Sequence, residues 1–196
     1  MSHEGCVFVD LVCHAPLLWL MEIPGKGYRR IALIGMPASG KTSVGLALSV
    51  ISRLPFVDLD KFIEKEAGMS VSDIFNKEGE QGFRLRETKA LGSIASMASV
   101  ILATGGGSVE SSVNRAVLKR RFHCVWLKAE METLLGRTET EYCNLARPLL
   151  AGDKRARLML LAERRLSLYK DCSDLVADTE SKSPEEIAGE IYDSIR

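Results

Sequence analysis

The chain has 196 residues, of which 46% are hydrophobic and 27% are charged, and this composition favours one compact domain over two. Lysine and arginine together number 26, as do aspartate and glutamate. The resulting zero net charge excludes the overall basic field that binding of nucleic acid or an anionic membrane would use, so any anion must be bound by a local cluster.

The apolar stretch at residues 7–23 predicts neither a membrane span nor a signal peptide. Acidic residues, a histidine and a proline interrupt it before the roughly 18 apolar residues of a spanning helix are reached. It has no preceding basic region and no following A-x-A cleavage pattern. We expect folded structure to begin near Arg29. Residues 1–28 are then a disordered N-terminal extension or the product of a misassigned start codon, with Met21 as the alternative start.

Short apolar runs alternate with helical segments along the rest of the chain. The five predicted strands are Ile31–Ile34, Phe56–Val57, Val100–Ala103, His123–Leu127 and Leu175–Ala177. A Gly-rich turn follows the first strand, and residues 42–51 then carry apolar side chains at helical spacing. This alternation predicts an α/β fold whose parallel sheet is covered by helices on both faces. Functional residues are expected on the turns that follow the strands.

Two segments interrupt this alternation. Residues 61–97 form a long, mainly helical stretch with breaks at Gly68 and Gly79 and a capping residue at Ser70, which we interpret as an inserted helical subdomain. Residues 137–152 are polar and show no periodicity. We expect them to form a lid that closes over a substrate and excludes water.

The sequence GMPASGKT, Gly35–Thr42, matches the phosphate-binding pattern G-x-x-x-x-G-K-[ST] between a predicted strand and a predicted helix. Glycines at Gly35 and Gly40 let backbone N–H groups approach phosphate oxygens at a helix N-terminus. Lys41 would meet the β and γ phosphates, and the Thr42 hydroxyl would ligate Mg²⁺. The motif predicts a bound phosphate donor and leaves the acceptor open.

Charged residues after the second strand and on the insert are candidates for binding the acceptor. Asp58 and Asp60 lie on one side if the extended geometry continues. They could then hold hydrated Mg²⁺ and orient or deprotonate a hydroxyl, or else cap a helix. Arg84 and Arg86 could bind a substrate carboxylate, or form a solvated charged face with Glu87.

Three consecutive glycines, Gly105–Gly107, follow the third strand. Without a Cβ atom they leave main-chain N–H groups unshielded, so that a ligand can approach closely. A flexible turn is the alternative, but a flexible turn does not require three glycines. We therefore favour a ligand at this position.

The five cysteines are odd in number and lack the CxxC spacing of a zinc or redox site. We interpret them as reduced thiols of a cytoplasmic protein, each a small buried hydrophobic residue and not a nucleophile. They are Cys6, Cys13, Cys124, Cys143 and Cys172.

From about Arg30 to the C-terminus, the chain resembles the shikimate kinase family. Six ordered motifs carry the resemblance: GMPASGKT, DLD at residues 58–60, the run Ile74–Glu87, ATGGGS, RPLL at Arg147, and R-x-x-x-Y from Arg165 to Tyr169. It implies a P-loop fold over residues 29–196 with three α/β/α layers and a five-stranded parallel sheet in the order 2-3-1-4-5. The activity that it implies is ATP-dependent phosphorylation of the 3-hydroxyl of shikimate, in aromatic amino-acid biosynthesis.

The resemblance also implies a role for each matching residue. The ATP-binding residues would be Ala38, Ser39, Gly40, Lys41, Thr42, Ser43, Arg137, Arg147 and Lys182. The shikimate-binding residues would be Asp60, Arg84, Gly105, Gly106, Gly107 and Arg165, with the two arginines holding the carboxylate. Lys41, Asp60 as candidate base, and Arg147 on the lid would be catalytic, while Thr42 and Asp58 would hold Mg²⁺.

Some positions depart from the family pattern. Pro37 and Ala38 stand where the phosphate loop commonly reads Met-Gly, a change that we expect to leave phosphate binding intact. Ser167 replaces a usual proline, and the segment between Arg137 and Arg147 is slightly long. These differences bear on lid closure and nucleotide affinity.

Two other functions remain open from the residues alone. One is a related kinase for gluconate or a nucleoside monophosphate, although a nucleotide acceptor would not require paired arginines beside a glycine triple. The other is a non-catalytic nucleotide-binding module, but such proteins usually lose the phosphate lysine or the acceptor aspartate, and both Lys41 and Asp60 are present. We expect a monomer that binds ATP and shikimate, with no nucleic-acid or membrane partner.

Overall fold

The computed structural model describes residues 28–138 and 153–196. The predicted extension lies outside these ranges apart from its last residue, and the predicted lid lies outside them apart from Arg137 and Thr138. Within these two ranges no helix has the length and apolar character needed to cross a membrane.

Five parallel strands form one sheet in the order β2-β3-β1-β4-β5. They are β1 Arg30–Ile34, β2 Phe56–Asp58, β3 Val100–Ala103, β4 His123–Lys128 and β5 Leu175–Asp178. All five predicted strands are present, each within one residue of its predicted ends, and the predicted strand order is confirmed.

The central strand β1 pairs with β3 on one side and β4 on the other, so that Ala32 lies opposite both Leu102 and Cys124. Residues 31–34 are completely buried. A strand that is buried on both faces has no polar side, and this explains why its sequence is a continuous apolar run.

Helices cover both faces of the sheet. They are α1 Lys41–Ser52, α2 Leu59–Ala67, α3 Val71–Ala95, α4 Ser112–Arg121, α5 Met131–Thr138, α6 Lys154–Cys172 and α7 Pro184–Ile195. On one face, Val44 and Leu48 of α1 share a core with Ile187 and Ile191 of α7. Residues of α2, α3, α4 and α6 form the core on the other face, and together these layers give the α/β/α arrangement.

The predicted breaks in the long helical segment are present at both glycines. Gly68 ends α2 at φ 66°, and Gly79 kinks α3 at φ 69° and ψ −179°. Glycine adopts these positive φ values without the steric cost that a Cβ atom brings. Ser70 caps α3 by accepting a hydrogen bond from the backbone N–H of Asp73 at 3.1 Å.

The two cysteines within the described ranges, Cys124 on β4 and Cys172 at the end of α6, are buried and free. Both therefore occupy core positions, as expected for small hydrophobic residues. Cys6, Cys13 and Cys143 lie outside the described residues.

The carboxyl ends of β2, β3 and β1 lie side by side at one edge of the sheet. In the register of these strands, Ala103 lies opposite both Asp58 and Leu33. The segments that leave these three strands are the start of α2, the glycine triple Gly105–Gly107 and the phosphate loop Gly35–Thr42. Strand pairing therefore brings together three motifs that are far apart in sequence.

Candidate active site

A cavity of about 470 Å³ lies along this edge of the sheet. It is lined by every predicted site residue within the described ranges: Ala38, Ser39, Gly40, Lys41, Thr42, Ser43, Asp58, Asp60, Arg84, Gly105, Gly106, Gly107, Arg137, Arg165 and Lys182. Arg147, the remaining predicted residue, lies outside the described residues. The predicted donor and acceptor residues thus share one cavity.

The phosphate loop has the backbone geometry of an anion site. A Cβ atom on Gly35, at φ 148°, would lie 2.6 Å from the carbonyl oxygen of Leu127, so only glycine fits there. Gly40, at φ 91°, begins α1 without a side-chain capping bond, and the first N–H groups of this helix can therefore serve an anion. The buried Lys41 Nζ donates to the carbonyls of Gly35 (3.0 Å) and Met36 (2.8 Å).

The two unusual loop residues have distinct positions. Ala38 adopts φ 63°, a left-handed conformation that costs an L-residue roughly 1–2 kcal/mol more than glycine. Pro37 faces the glycine triple, since its Cδ is 3.2 Å from where a Cβ on Gly106 would lie. The donor loop therefore packs directly against the loop that follows β3.

The Asp58 carboxylate has two sets of partners. Its Oδ1 accepts hydrogen bonds from the backbone N–H of Asp60 (3.1 Å) and of Lys61 (3.3 Å), which caps α2. Its Oδ2 accepts from the Thr42 hydroxyl at 2.8 Å. The expectation of continued extended geometry is wrong, because the strand ends at Asp58 and Asp60 lies in the first turn of α2. The capping alternative is present together with the contact to the phosphate loop.

The Asp60 carboxylate faces the glycine triple. Its Oδ1 is 3.2 Å from where a Cβ on Gly105 would lie, and the same Cβ would be 2.8 Å from Oε1 of Glu87. Any residue other than glycine would push against these carboxylates. Asp60 thus lies on the acceptor side of the cavity even though it is helical.

Arg84 is held by a buried carboxylate. Its Nη1 donates to Glu87 Oε2 at 3.0 Å, and Oε1 of this fully buried glutamate accepts from the Ser108 hydroxyl at 2.6 Å. Burial lowers the pKa of Arg84, but Glu87 and the more exposed Glu80 outweigh that effect and raise it, so the guanidinium stays charged. A Cβ on Gly107 would lie 2.4 Å from Arg84 Nη2, so this glycine makes room for the guanidinium.

The solvated-face interpretation is wrong for Arg84 and Glu87 but holds for Arg86. The Arg86 side chain is 36% exposed and forms a bidentate salt bridge with Glu78, in which each hydrogen bond is 2.8 Å long. Residues two apart on a helix point to nearly opposite faces, so one arginine faces the cavity and the other faces solvent.

Arg165, on α6, also lies beside the glycine triple and is only 3% exposed. Its Nε donates to Glu110 Oε1, and its Nη1 is 3.4 Å from where a Cβ on Gly106 would lie. The buried Tyr169 hydroxyl, one helical turn further on, donates to the carbonyl of Gly106. Burial raises the pKa of Tyr169, which therefore remains a hydrogen-bond donor.

Two further basic residues line the cavity from α5 and from the turn before α7. Arg137 donates from Nη1 to the Thr179 hydroxyl (3.2 Å) and from Nη2 to the Thr179 carbonyl (3.0 Å). Lys182 pairs with Glu190 at 2.7 Å, and the hydrogen bond from this carboxylate raises the pKa of the lysine. Both side chains carry a positive charge at the cavity wall.

Comparison with known proteins places the chain in a family. The model of the family described as shikimate kinase matches residues 37–196. The chain belongs to the shikimate kinase family. It is 38% identical over 167 residues to shikimate kinase of Dictyoglomus turgidum, covering 85% of this chain and 96% of that protein. It is 42% identical over 169 residues to shikimate kinase of a Marinomonas species, covering 85% and 91%.

A solved structure agrees with this assignment. Shikimate kinase from Acinetobacter baumannii, in complex with shikimate, superimposes with a TM-score of 0.81 at 35% identity, covering 85% of this chain and 92% of that one. The family, the fold and the kinase class predicted from the sequence are therefore confirmed.

Sequence reasoning missed several residues that hold the site of this shikimate kinase family member together. Glu87 was interpreted as part of a solvated face, although its spacing of three residues from Arg84 on a helix was a signal for pairing. Glu110 belongs to none of the six motifs, and its partner Arg165 is 55 residues away. Tyr169 was part of a motif, but nothing in the sequence indicated its bond to Gly106.

Glu87→Ala should lower the free energy of unfolding by about 3–5 kcal/mol, because it leaves a largely buried guanidinium without its buried partner. Glu80→Ala is the matched control: it removes the exposed partner of the same Arg84, 58% exposed, and should cost about 1 kcal/mol or less. Urea denaturation of the two variants measures the difference. Equal, small losses would show that the buried pair does not stabilise the site.

Proposed function

We propose that this chain transfers the γ-phosphoryl group of ATP to the 3-hydroxyl of shikimate. The observation that carries the proposal is a single cavity in which a phosphate-binding loop faces two arginines and a carboxylate around Gly105–Gly107. Guanidinium groups are suited to hold a carboxylate by parallel hydrogen bonds, so the cavity fits an acidic acceptor beside a phosphate donor. Membership of the shikimate kinase family supports the same reaction.

In this proposal, ATP lies along the phosphate loop. The N–H groups at the start of α1 and the Lys41 ammonium would bind phosphate oxygens, with Lys41 exchanging the loop carbonyls for the β and γ phosphates. Ala38, Ser39, Gly40, Thr42 and Ser43 complete this wall of the cavity. Arg137 and Lys182 would contact the remainder of the nucleotide, and Arg147 would reach it from the lid.

The residues at Thr42 and Asp58 fit a magnesium ion. Their hydroxyl and carboxylate oxygens are 2.8 Å apart. Hydroxyl and carboxylate oxygens are the hard ligands that Mg²⁺ prefers, so these two residues would hold the ion, directly or through its water molecules. A Mg²⁺ ion bound there with ATP would neutralise negative charge on the phosphates.

The acceptor would lie against the glycine triple. Arg84, beside Gly107, and Arg165, beside Gly106, would hold the shikimate carboxylate. Asp60 would orient and deprotonate the hydroxyl that attacks phosphorus. Catalysis is then mainly positioning and charge stabilisation, as phosphoryl transfer requires.

Asp60→Asn should reduce kcat by roughly 10²–10⁴-fold and leave the KM for ATP nearly unchanged, because the amide keeps the shape of the carboxylate but cannot take a proton. A coupled assay of ADP release, with shikimate and MgATP varied in turn, measures both constants. Asp193→Asn, on the exposed surface of α7, is the control. Unchanged turnover of the Asp60 variant would remove this residue from the mechanism.

Arg84→Ala should weaken shikimate binding by about 1.5–3 kcal/mol, the contribution of a charged hydrogen bond, and leave the KM for ATP unchanged. Arg86→Ala is the matched control, since this neighbouring arginine pairs with Glu78 away from the cavity. Initial-rate kinetics give the KM for shikimate and for ATP of the parent chain and of the two variants. A shikimate KM that is the same for all three would contradict the role of Arg84.

A further inference from the structure

The buried Arg165 side chain has a specific partner outside the predicted site, the exposed residue Glu110. Its Nε lies 2.5 Å from Oε1 of Glu110, and only 4% of the arginine side chain is exposed, compared with 33% of the glutamate. Glu110 is the last residue of the short 3-10 turn Ser108–Glu110, which directly follows the glycine triple. One carboxylate therefore joins α6 to the loop after β3.

The backbone of Glu110 is itself fixed. The turn is closed by hydrogen bonds from the N–H of Ser108 to the carbonyl of Gly105 (3.1 Å) and from the N–H of Glu110 to that of Gly107 (3.0 Å). Arg115, on α4, donates from Nη1 to the carbonyls of Val109 (2.7 Å) and Glu110 (3.0 Å). The carboxylate that meets Arg165 is thus carried by a rigid turn and not by a mobile loop.

The contact divides the guanidinium into two functional parts. Glu110 takes Nε, whereas Nη1 points toward Gly106, where no Cβ atom intervenes. A guanidinium offers five donors in a planar fork, so fixing one edge sets the direction of the other. Arg84, beside Gly107, is held in a comparable way by Glu87.

We infer that Glu110 is a positioning residue for acceptor binding: it fixes Arg165 so that the edge of its fork beside Gly106 meets the carboxylate of the acceptor. This inference rests on the proposed function, because it takes the acceptor to be a carboxylic acid. The opposite role is a carboxylate that competes with the acceptor for Arg165. The two roles predict opposite effects on affinity, because loss of a positioning group weakens binding and loss of a competitor strengthens it.

The test compares Glu110→Ala and Glu110→Gln with the parent chain in the coupled ADP-release assay. Glu110→Ala should raise the KM for shikimate by about ten-fold or more and leave the KM for ATP within about two-fold. Glu110→Gln should give a smaller increase, since its amide oxygen still accepts from Nε. The control is Asp171→Ala. Asp171 lies on α6, as Arg165 does, and forms a surface ion pair with Lys119 of α4, so its loss should change neither KM.

A second acceptor separates positioning from a general structural role. In a shikimate analogue with a hydroxymethyl group in place of the carboxylate, Arg165 has no anion to hold. Glu110→Ala should therefore leave kcat/KM for this analogue nearly unchanged while lowering it for shikimate. An equal loss for both acceptors, an unchanged KM for shikimate or a lower one would each overturn the inference.

Two further results distinguish failure of the positioning role from failure of the proposed function. If Glu110→Ala does not fold, as judged by thermal unfolding, the isosteric Glu110→Gln variant carries the comparison alone, and a shikimate KM equal to that of the parent chain would overturn the inference. If the parent chain does not phosphorylate shikimate at all, the proposed function fails, and the positioning role fails with it. If the parent chain phosphorylates shikimate and the Glu110 variants have the same shikimate KM as the parent, the positioning role alone is overturned.

Discussion

The backbone at Gly105 and Gly107 comes so close to charged side chains that an added Cβ atom would force them to shift, and the fit at Gly106 is tight. Added Cβ atoms would lie 2.8 Å from Glu87 at the first glycine, 3.4 Å from Arg165 at the second and 2.4 Å from Arg84 at the third. Because of this close approach, one short loop forms the base of a cavity that is lined by charged side chains. Pro37 of the phosphate loop packs against the same loop, so the proposed donor and acceptor positions are next to each other.

The arginines beside the glycine triple are each paired with a glutamate. Burying a guanidinium without a partner is costly, and each of the two arginines beside the glycine triple has a glutamate behind it. Glu87 is completely buried and also bound to Ser108, while Glu110 is carried on a rigid turn. The same pairs fix the orientation of both guanidinium groups, so less ordering would remain when an acceptor binds.

Much of this molecule could be predicted from the sequence, because its strongest signals are local. Apolar runs gave the five strands, and the phosphate loop is a contiguous motif whose glycines meet a backbone requirement. The failures occurred where long-range packing decides. Asp58 and Asp60 would lie on one side only if the extended geometry continued, and the local sequence left helix capping open; Asp58 in fact caps α2, and the chain is helical from Leu59 onward. The burial of Glu87 depends on how α3 packs, which the local sequence does not show. The pairing of Glu110 with Arg165 likewise joins residues that are 55 positions apart in sequence.

The central claim is that the cavity selects a rigid acidic acceptor by two arginines that face one glycine triple. Its most direct test is kcat/KM for shikimate, quinate, gluconate and nucleoside monophosphates, measured with the same protein and MgATP by ADP release. The structural account predicts that shikimate exceeds gluconate and the nucleotides by about 10³-fold or more, as expected of a site whose buried polar groups must be matched by the substrate. Comparable or faster turnover of gluconate or a nucleotide would contradict it.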